Sequence, residues 1–243
     1  MTLQKLMEHS FSLYARRNRV FLPSLRDRID YLNLAIGDLQ DAIRKEFGRD
    51  VLGCAVARIV SRIFCVAEHF WNLPETSGAA NPFVIATVRK YPRRCSYCGQ
   101  SPCACSERHS ESQLAQHADP EQLQWTLRQW CAHLDHLYGA MNRKRGLENM
   151  LNRLFREISE LSSLAMKISR LQIRRDQIED ELALELADAL AWTIAIACVL
   201  GIDLEDAFTD QYQEGCQICR CHPCECTHFH WEPMDWRTFN TSS

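Results

Sequence analysis

Apolar residues recur at spacings of three and four along most of the chain, and no segment alternates apolar and polar residues long enough to predict a strand. In the second half this pattern predicts four helices, at about 120–141, 147–170, 178–200 and 203–212. The helix at about 178–200 is apolar on nearly every side, so we expect it to lie at the centre of the fold. Gly201 is expected to end it, and Asp203 is expected to cap the short helix that follows. The pattern therefore predicts an all-α protein.

The chain contains an internal duplication. A set of four cysteines with the spacing C-x2-C-x4-C-x-C occurs twice, and each cysteine of the second set lies 121 positions after its counterpart in the first. The two clusters are Cys95, Cys98, Cys103 and Cys105, and Cys216, Cys219, Cys224 and Cys226. Upstream, the Leu-Tyr pair at 13–14 recurs at 137–138, and the Asn-Arg pair at 18–19 recurs at 142–143. We therefore predict a first repeat at 1–108, a linker at 109–121, a second repeat at 122–230 and a tail at 231–243.

Composition narrows the class of protein and its location. The chain is 46% hydrophobic and 24% charged, and its net charge of −3 gives no general reason to expect a nucleic-acid or membrane partner. Residues 1–19 are polar and lack the apolar segment of a secretory signal. The most apolar stretch, 182–202, contains Glu185 and Asp188, which argues against a membrane span. We expect a cytoplasmic protein. Since cytosolic thiols stay reduced, its thirteen cysteines indicate metal binding rather than disulfides.

The two cysteine clusters have the composition of tetrahedral zinc sites. Four thiolates on a short loop match the ligand set of zinc, and a complete set of four favours a closed, structural site over a catalytic one. We therefore predict two structural zinc ions per chain; the alternative is a set of reduced cysteines without a metal. Around the second cluster, Cys221, His222, His228 and His230 could each replace one ligand.

Four acidic residues lie at helical spacing on two consecutive predicted helices. Glu157 and Glu160 project from one face of their helix, and Glu185 and Asp188 repeat that spacing on the next. A solvated acidic stripe would be the usual interpretation. However, residues 182–202 hold no other charged side chain, so the second pair is expected to be partly buried, where unpaired charge is costly. A hard divalent cation, Mg²⁺ or Mn²⁺, would neutralise these carboxylates.

These residues carry a resemblance to a known family. The sequence Glu157-x-x-Glu160, followed after 24 residues by Glu185-x-x-Asp188, resembles the signature of the MazG-like all-α nucleoside triphosphate pyrophosphohydrolases. Arg145 and the glycine after it resemble that family's Arg-Gly segment, and a similar cysteine tail occurs in one of its branches. The resemblance covers about residues 136–226 and, more weakly, the first repeat.

The resemblance implies a fold and an activity. Such enzymes build four-helix bundles across a dimer interface, so a tandem duplication would form an intramolecular pseudo-dimer, and a further homodimer stays open. The implied reaction is hydrolysis of a nucleoside triphosphate to the monophosphate and pyrophosphate, with Mg²⁺ (or Mn²⁺) held by the four acids. Arg143, Lys144 or Arg145 would contact the phosphates, or form only a solvated basic turn. Trp192 would stack on the base, or pack in the core.

Departures from the family pattern divide the two repeats. Arg156 stands where the family often has a glutamate, and Gln211 where it often has a lysine. In the first repeat Ala35 and Asp38 replace the first acidic pair, and the following helix has no second pair. We therefore expect the first repeat to be non-catalytic. Its Arg89-Lys90 pair, ahead of the cysteines, is a candidate source of the cation that the second repeat lacks.

Two other classes of function stay open at this stage. The chain could bind or sense nucleotides without cleaving them, if Arg156 or the missing lysine disables the site. It could also be a zinc-knuckle nucleic-acid adaptor. The basic runs at 16–19 and 89–94 favour that interpretation, whereas the acidic charge balance argues against it.

Overall fold

In the computed structural model we describe residues 1–71, 80–105, 113–170, 172–174 and 178–229. Within these ranges the chain is all-helical and has no strand, which confirms the predicted fold class. The helices are α1 (Leu3–Phe21), α2 (Leu25–Arg44), α3 (Arg49–Phe70), α4 (Pro82–Lys90), α5 (Leu127–Arg145), α6 (Leu147–Ser169), α7 (Glu179–Leu200) and α8 (Leu204–Tyr212). The predicted tail, 231–243, and His230 lie outside the described residues.

The helix boundaries in the second half follow the local sequence signals, with one correction. The helix that we expected to begin at Pro120 begins at Leu127, because Thr126 and Gln129 form a reciprocal capping box. Ahead of it, Gln122–Gln124 makes only a 3-10 turn. The other two signals are confirmed: Gly201 ends α7 in the left-handed region at φ 69°, and Asp203 caps α8.

The order of elements repeats along the chain, and the two halves pack reciprocally. Four helices and a cysteine loop occur as α1–α4 and again as α5–α8. The short helix α4 packs against α7, and its counterpart α8 packs against α3. The threonines that cap α1 and α5, Thr2 and Thr126, pair with each other in an isolated antiparallel bridge. Packing of each short helix on the long central helix of the other half is the arrangement expected of a pseudo-dimer. The origin of the fold by duplication and the domain boundaries stay predictions.

Helices α3 and α7 form the centre of the molecule. By length and composition α7 alone among the described helices could cross a membrane. Here it contacts α3, α4, α5 and α6, and the side chains on all its sides are largely buried, as its all-round apolarity predicts. A single hydrophobic core runs through both halves, so neither half buries its central helix alone.

Residues 113–121 are the described part of the predicted linker, and they run along the first half. The amide of Ala115 donates to the carbonyl of Arg89 over 2.9 Å, and the amide of Gln113 donates to that of Ser96 over 3.0 Å. Arg93 is ion-paired with Asp119 on the same segment, at 2.7 Å. The linker therefore lies against the first cysteine loop.

Candidate metal centre and its cavity

Three of the four predicted metal carboxylates come together. Glu157 on α6 and the pair Glu185 and Asp188 on α7 present oxygen atoms that all lie within 4.8 Å of one another. The three-residue spacing places both α7 acids on the face that meets α6. The indole of Trp192, one turn further along α7, donates to Glu157 over 3.3 Å. The arrangement has the size and donor type of a divalent cation site.

The fourth predicted ligand, Glu160, lies at the edge of this group. Its carboxylate accepts a hydrogen bond from Arg156 over 2.9 Å, and its side chain is 40% exposed. Arg156 is the residue that departs from the family pattern. Arg156, four positions earlier on the helix, therefore competes with the cluster for the fourth acid, which still lies close enough to Glu185 to raise the pKa of that acid.

The first half contributes two residues to the acidic cluster of the second half. The ammonium of Lys90, at the end of α4, contacts a carboxylate oxygen of Asp188 and the carbonyl of Leu184. The hydroxyl of Tyr91 donates to the other oxygen of Asp188. Arg89 points elsewhere and donates to the carbonyl of Ala115 over 3.0 Å. The sequence identified Lys90 as a candidate, but it gave Tyr91 no role.

Burial and mutual repulsion perturb the acids. Burial raises the pKa of Glu157 to about 7, and the charges of Asp188 and Glu160 add to that effect. Burial also raises the pKa of Glu185 to about 8; Lys90 opposes the shift, and Asp188 and Glu160 increase it. One oxygen of Glu185 is buried without a hydrogen-bond partner among the described residues. A hard cation would satisfy that oxygen and favour the ionised form of all three acids, so the residues fit Mg²⁺.

Glu157, Glu160 and Asp188 line a cavity of about 400 Å³ that also carries positive charge and aromatic rings. Besides Tyr91, three arginines and three further aromatic residues line it. They are Arg145, Arg153, Arg156, Tyr97, Tyr138 and Trp192. The guanidinium of Arg145 lies 5.3 Å from the ring centre of Trp192. Acidic, basic and aromatic walls thus meet in one space, which is the composition needed to bind a metal, a polyanion and a ring.

The three basic residues at the end of α5 divide between the cavity and the surface. Arg145 lines the cavity. Arg143 and Lys144 are exposed and are not among the lining residues, and Arg143 pairs with Asp135 at 2.8 Å instead. Trp192 is half-buried, bonded to Glu157 and in the cavity wall, so it is not simply a core residue.

Both cysteine clusters bring four thiols together. In each cluster the four sulfur atoms lie within 4.8 Å of one another, the arrangement that a tetrahedral zinc ion needs. Backbone amides of Gln100 and Ala104 lower the pKa of Cys98 to about 6, which favours the thiolate that binds metal. The described alternative ligands lie outside the group: Cys221 contacts a backbone carbonyl and His222 contacts Ser12. The two clusters are candidate zinc sites.

Each cysteine loop contacts the opposite half. The amide of Cys103 donates to the carbonyl of Leu137 on α5 over 3.0 Å, and the amide of Cys224 donates to that of Leu13 on α1 over 2.8 Å. The first loop also forms part of the cavity wall, through Ser96, Tyr97, Cys103 and Cys105. Sequence reasoning assigned this loop only a structural role, because the crossing depends on tertiary packing.

The counterpart positions in the first half carry a different set of side chains. Counted from the start of each helix, Glu157 and Glu160 on α6 correspond to Ala35 and Asp38 on α2. Likewise Glu185 and Asp188 on α7 correspond to Ala55 and Arg58 on α3. Arg58 and Asp38 form an ion pair at 2.9 Å. No acidic metal-type cluster forms among the described residues of the first half.

Comparison with known proteins adds no relative. No protein-family model matches the chain, no curated protein matches it, and no solved structure matches it. The resemblance to the MazG-like enzymes therefore rests on the residues that carry it.

Proposed function

We propose that the protein is a Mg²⁺-dependent nucleotide pyrophosphohydrolase whose catalytic site lies in the second half. One observation carries the proposal: three carboxylates within 4.8 Å of one another adjoin a cavity that is lined by arginines. The carboxylates select a divalent cation, and the arginines select a polyanion. A polyphosphate with a bound metal ion complements both groups, because the metal ion pairs with the carboxylates and the phosphates pair with the arginines. The carboxylates alone would repel the phosphates, and the arginines alone would repel the metal ion.

Each wall of the cavity has a role in the reaction. Glu157, Glu185 and Asp188 would hold Mg²⁺ (or Mn²⁺), with Glu160 joining if it exchanges Arg156 for the metal. When bound, the metal orients water and neutralises charge on the phosphates. Water attacks the α-phosphorus, the bond to the bridging oxygen breaks, and pyrophosphate leaves. A carboxylate of the cluster accepts the proton of the water.

The remaining cavity residues position the substrate. Arg145 and Arg153 neutralise the phosphate oxygens, and Trp192 presents a ring edge and face to the base. Lys90 holds Asp188 when no metal is bound. Once the carboxylate of Asp188 binds the metal, the ammonium of Lys90 would be available to contact a phosphate. It thereby supplies the cation that Gln211, a neutral amide, cannot supply.

The duplication explains why the first half is needed. The reciprocal packing of α4 on α7 and α8 on α3 supports the idea that the first half replaces the second subunit of a dimer. Two structural zinc ions would fix the cysteine loops that make this exchange. Lys90, Tyr91 and the first cysteine loop then complete a site whose metal ligands all belong to the second half.

The test is direct measurement of pyrophosphate release. The zinc-loaded full chain is incubated with a panel of ribo- and deoxyribonucleoside triphosphates, with and without Mg²⁺. We expect release of the monophosphate and pyrophosphate in a one-to-one ratio, only when Mg²⁺ is present. Absence of turnover with every nucleotide under all metal conditions would overturn the proposal.

A second candidate is a protein that binds nucleotides without cleaving them. It is favoured by one observation: Arg156 and Lys90 already pair with two of the four acids, Glu160 and Asp188. Calorimetry separates the two candidates, since saturable nucleotide binding without turnover would support sensing. One observation weighs against the nucleic-acid interpretation: Arg89 and Arg93 in its second basic run are engaged within the protein.

A further inference from the structure

The first half contains buried arginines where the second half has its cavity. Arg62 is the fourteenth residue of α3, and the fourteenth residue of α7 is Trp192, which lines the cavity. Arg17 is the fifteenth residue of α1, and its counterpart on α5 is Met141, another lining residue. Two wall positions of the cavity are therefore occupied by cations in the other half.

These two arginines lack a compensating carboxylate. The single buried acid nearby, Glu68, is already paired with Arg28 at 3.0 Å and accepts a further hydrogen bond from Asn18. Among the described residues, neither Arg17 nor Arg62 forms an ion pair, although their exposed fractions are only 9% and 7%. Buried charge without a partner is strongly unfavourable. Arg17 has one source of negative charge nearby, Cys224 of the second cysteine cluster, whereas Arg62 has no carboxylate partner among the described residues.

Two donor groups of Arg62 are unused, whereas Arg17 already donates through its Nε and Nη2 to Asn18 Oδ1. The Nε and Nη1 of Arg62 are buried and have no hydrogen-bond partner within the described part of the chain. Its guanidinium stacks on the ring of Tyr31, 3.8 Å from the ring centre, and that of Arg17 lies 5.6 Å from the same centre. Arg17 also stacks on Tyr14, at 3.7 Å. Aromatic faces thus hold two planar donor groups beside one tyrosine.

We propose that Arg17 and Arg62 form a second, non-catalytic binding site for a phosphate-type dianion. Phosphate or a phosphate monoester carries about −1.5 to −2 charges near neutral pH, which suits two arginines that lack a carboxylate partner, whereas a carboxylate supplies only one charge. The fork of N–H groups on a guanidinium fits phosphate oxygens in a bidentate manner. The counterpart of the metal cluster carries the Arg58–Asp38 pair, so this site would bind without cleaving. The inference does not rest on the proposed hydrolysis.

Titration calorimetry with inorganic phosphate, without Mg²⁺, tests the site on the full zinc-loaded chain. We expect one phosphate bound per chain, a melting temperature that rises with phosphate, and at least a roughly tenfold loss of affinity in Arg62→Met. The matched control is Arg145→Met, which removes an arginine from the second-half cavity and should keep this phosphate binding. Adenosine monophosphate in a competition arm decides the source: displacement of phosphate indicates a monoester, and no displacement indicates the free ion.

Two results would overturn the proposal. The first is wild-type protein that shows no phosphate-dependent change, which would leave the neighbouring cysteine cluster as the source of negative charge. The second is an Arg62→Met variant that binds phosphate as the wild type does. If that variant does not fold, Arg62→Lys is used instead. This substitution keeps the positive charge and the aliphatic part of the side chain but removes the planar guanidinium with its paired N–H donors. Equal phosphate affinity in Arg62→Lys and the wild type would then contradict the bidentate site.

Discussion

The same helical positions carry opposite chemistry in the two halves of this molecule. On α6 and α7 they hold a cluster of carboxylates beside a cavity, and on α2 and α3 they hold alanines and a self-neutralised ion pair. The four pairs of counterparts are Glu157 and Ala35, Glu160 and Asp38, Glu185 and Ala55, and Asp188 and Arg58. The same helical scaffold therefore holds an acidic cluster with excess negative charge, which a cation would neutralise, in one half. In the other half it holds an ion pair whose charges already balance. That difference separates a candidate catalytic site from a structural one.

Removing one acid from the second-half cluster should have the largest effect. Glu185→Gln or Asp188→Asn should lower Mg²⁺-dependent hydrolysis by more than about 100-fold. Mutation of residues that only hydrogen-bond to metal ligands already lowers metal affinity or activity by about 10- to 100-fold, and these two residues are proposed as ligands themselves. Circular dichroism should show unchanged helicity. The control is Glu181→Gln, an exposed acid one turn earlier on the same helix, which should retain activity. Full turnover in both cluster variants would remove the catalytic assignment.

The two cysteine clusters should differ in what they control. Cys105→Ser and Cys226→Ser should each lower the melting temperature by roughly 5 °C or more, because structural zinc binding contributes directly to folding. Only Cys105 lies in the cavity wall, so only Cys105→Ser should also lower hydrolysis at a temperature where both variants stay folded. Elemental analysis should give two zinc ions in the wild type and fewer in each variant. Equal activity loss in both variants would contradict the asymmetry.

Stability of the Mg²⁺-free protein should fall as pH rises. The pKa values of Glu157 and Glu185 are raised to about 7 and about 8, above their ordinary values. An acid with a raised pKa in the folded state stabilises the fold below its ordinary pKa, and this contribution is lost as pH rises through the folded value. Melting temperatures should therefore decline between about pH 5 and 8, and Mg²⁺ should reverse the decline. A profile that rises over this range, and that Glu185→Gln leaves unchanged, would count against the buried cluster.

The ion pair of the first half should give the smallest effect. Arg58→Met removes the ion pair with Asp38, and since both side chains are mostly buried, we expect a loss of roughly 1–3 kcal/mol in unfolding free energy. The double variant with Asp38→Asn should recover most of this loss, and hydrolysis should persist in both. Urea titration measures the effect. A loss of hydrolysis that exceeds the loss of folded protein would place this pair in the catalytic unit.

Local sequence signals were sufficient for the helices of the second half and for the grouping of three of the four acids. Residues spaced by three on one helix share a face whatever packs against it, so Glu185 and Asp188 could be placed together without a structure. The start of α5 was wrong because the capping box of Thr126 and Gln129 outcompetes the proline signal at Pro120. That error was also local and could have been avoided.

The rest of the site depends on contacts between distant segments. Lys90 and Tyr91 meet Asp188 across nearly one hundred residues, and the first cysteine loop becomes a cavity wall only because the halves exchange elements. No periodicity encodes that exchange. The spacing of four residues is enough to predict that Glu160 pairs with Arg156. It does not predict that Arg156 would compete with a metal ion for the Glu160 carboxylate.

The central claim is that a divalent cation binds the second-half carboxylates and not their first-half counterparts. Electron paramagnetic resonance of Mn²⁺, titrated into the zinc-loaded full chain with a non-hydrolysable nucleoside triphosphate analogue, measures this directly. We predict one tight Mn²⁺ site per chain, lost in Asp188→Asn and kept in Asp38→Asn. Tight Mn²⁺ binding that survives Asp188→Asn, or that is lost in Asp38→Asn, would contradict the account.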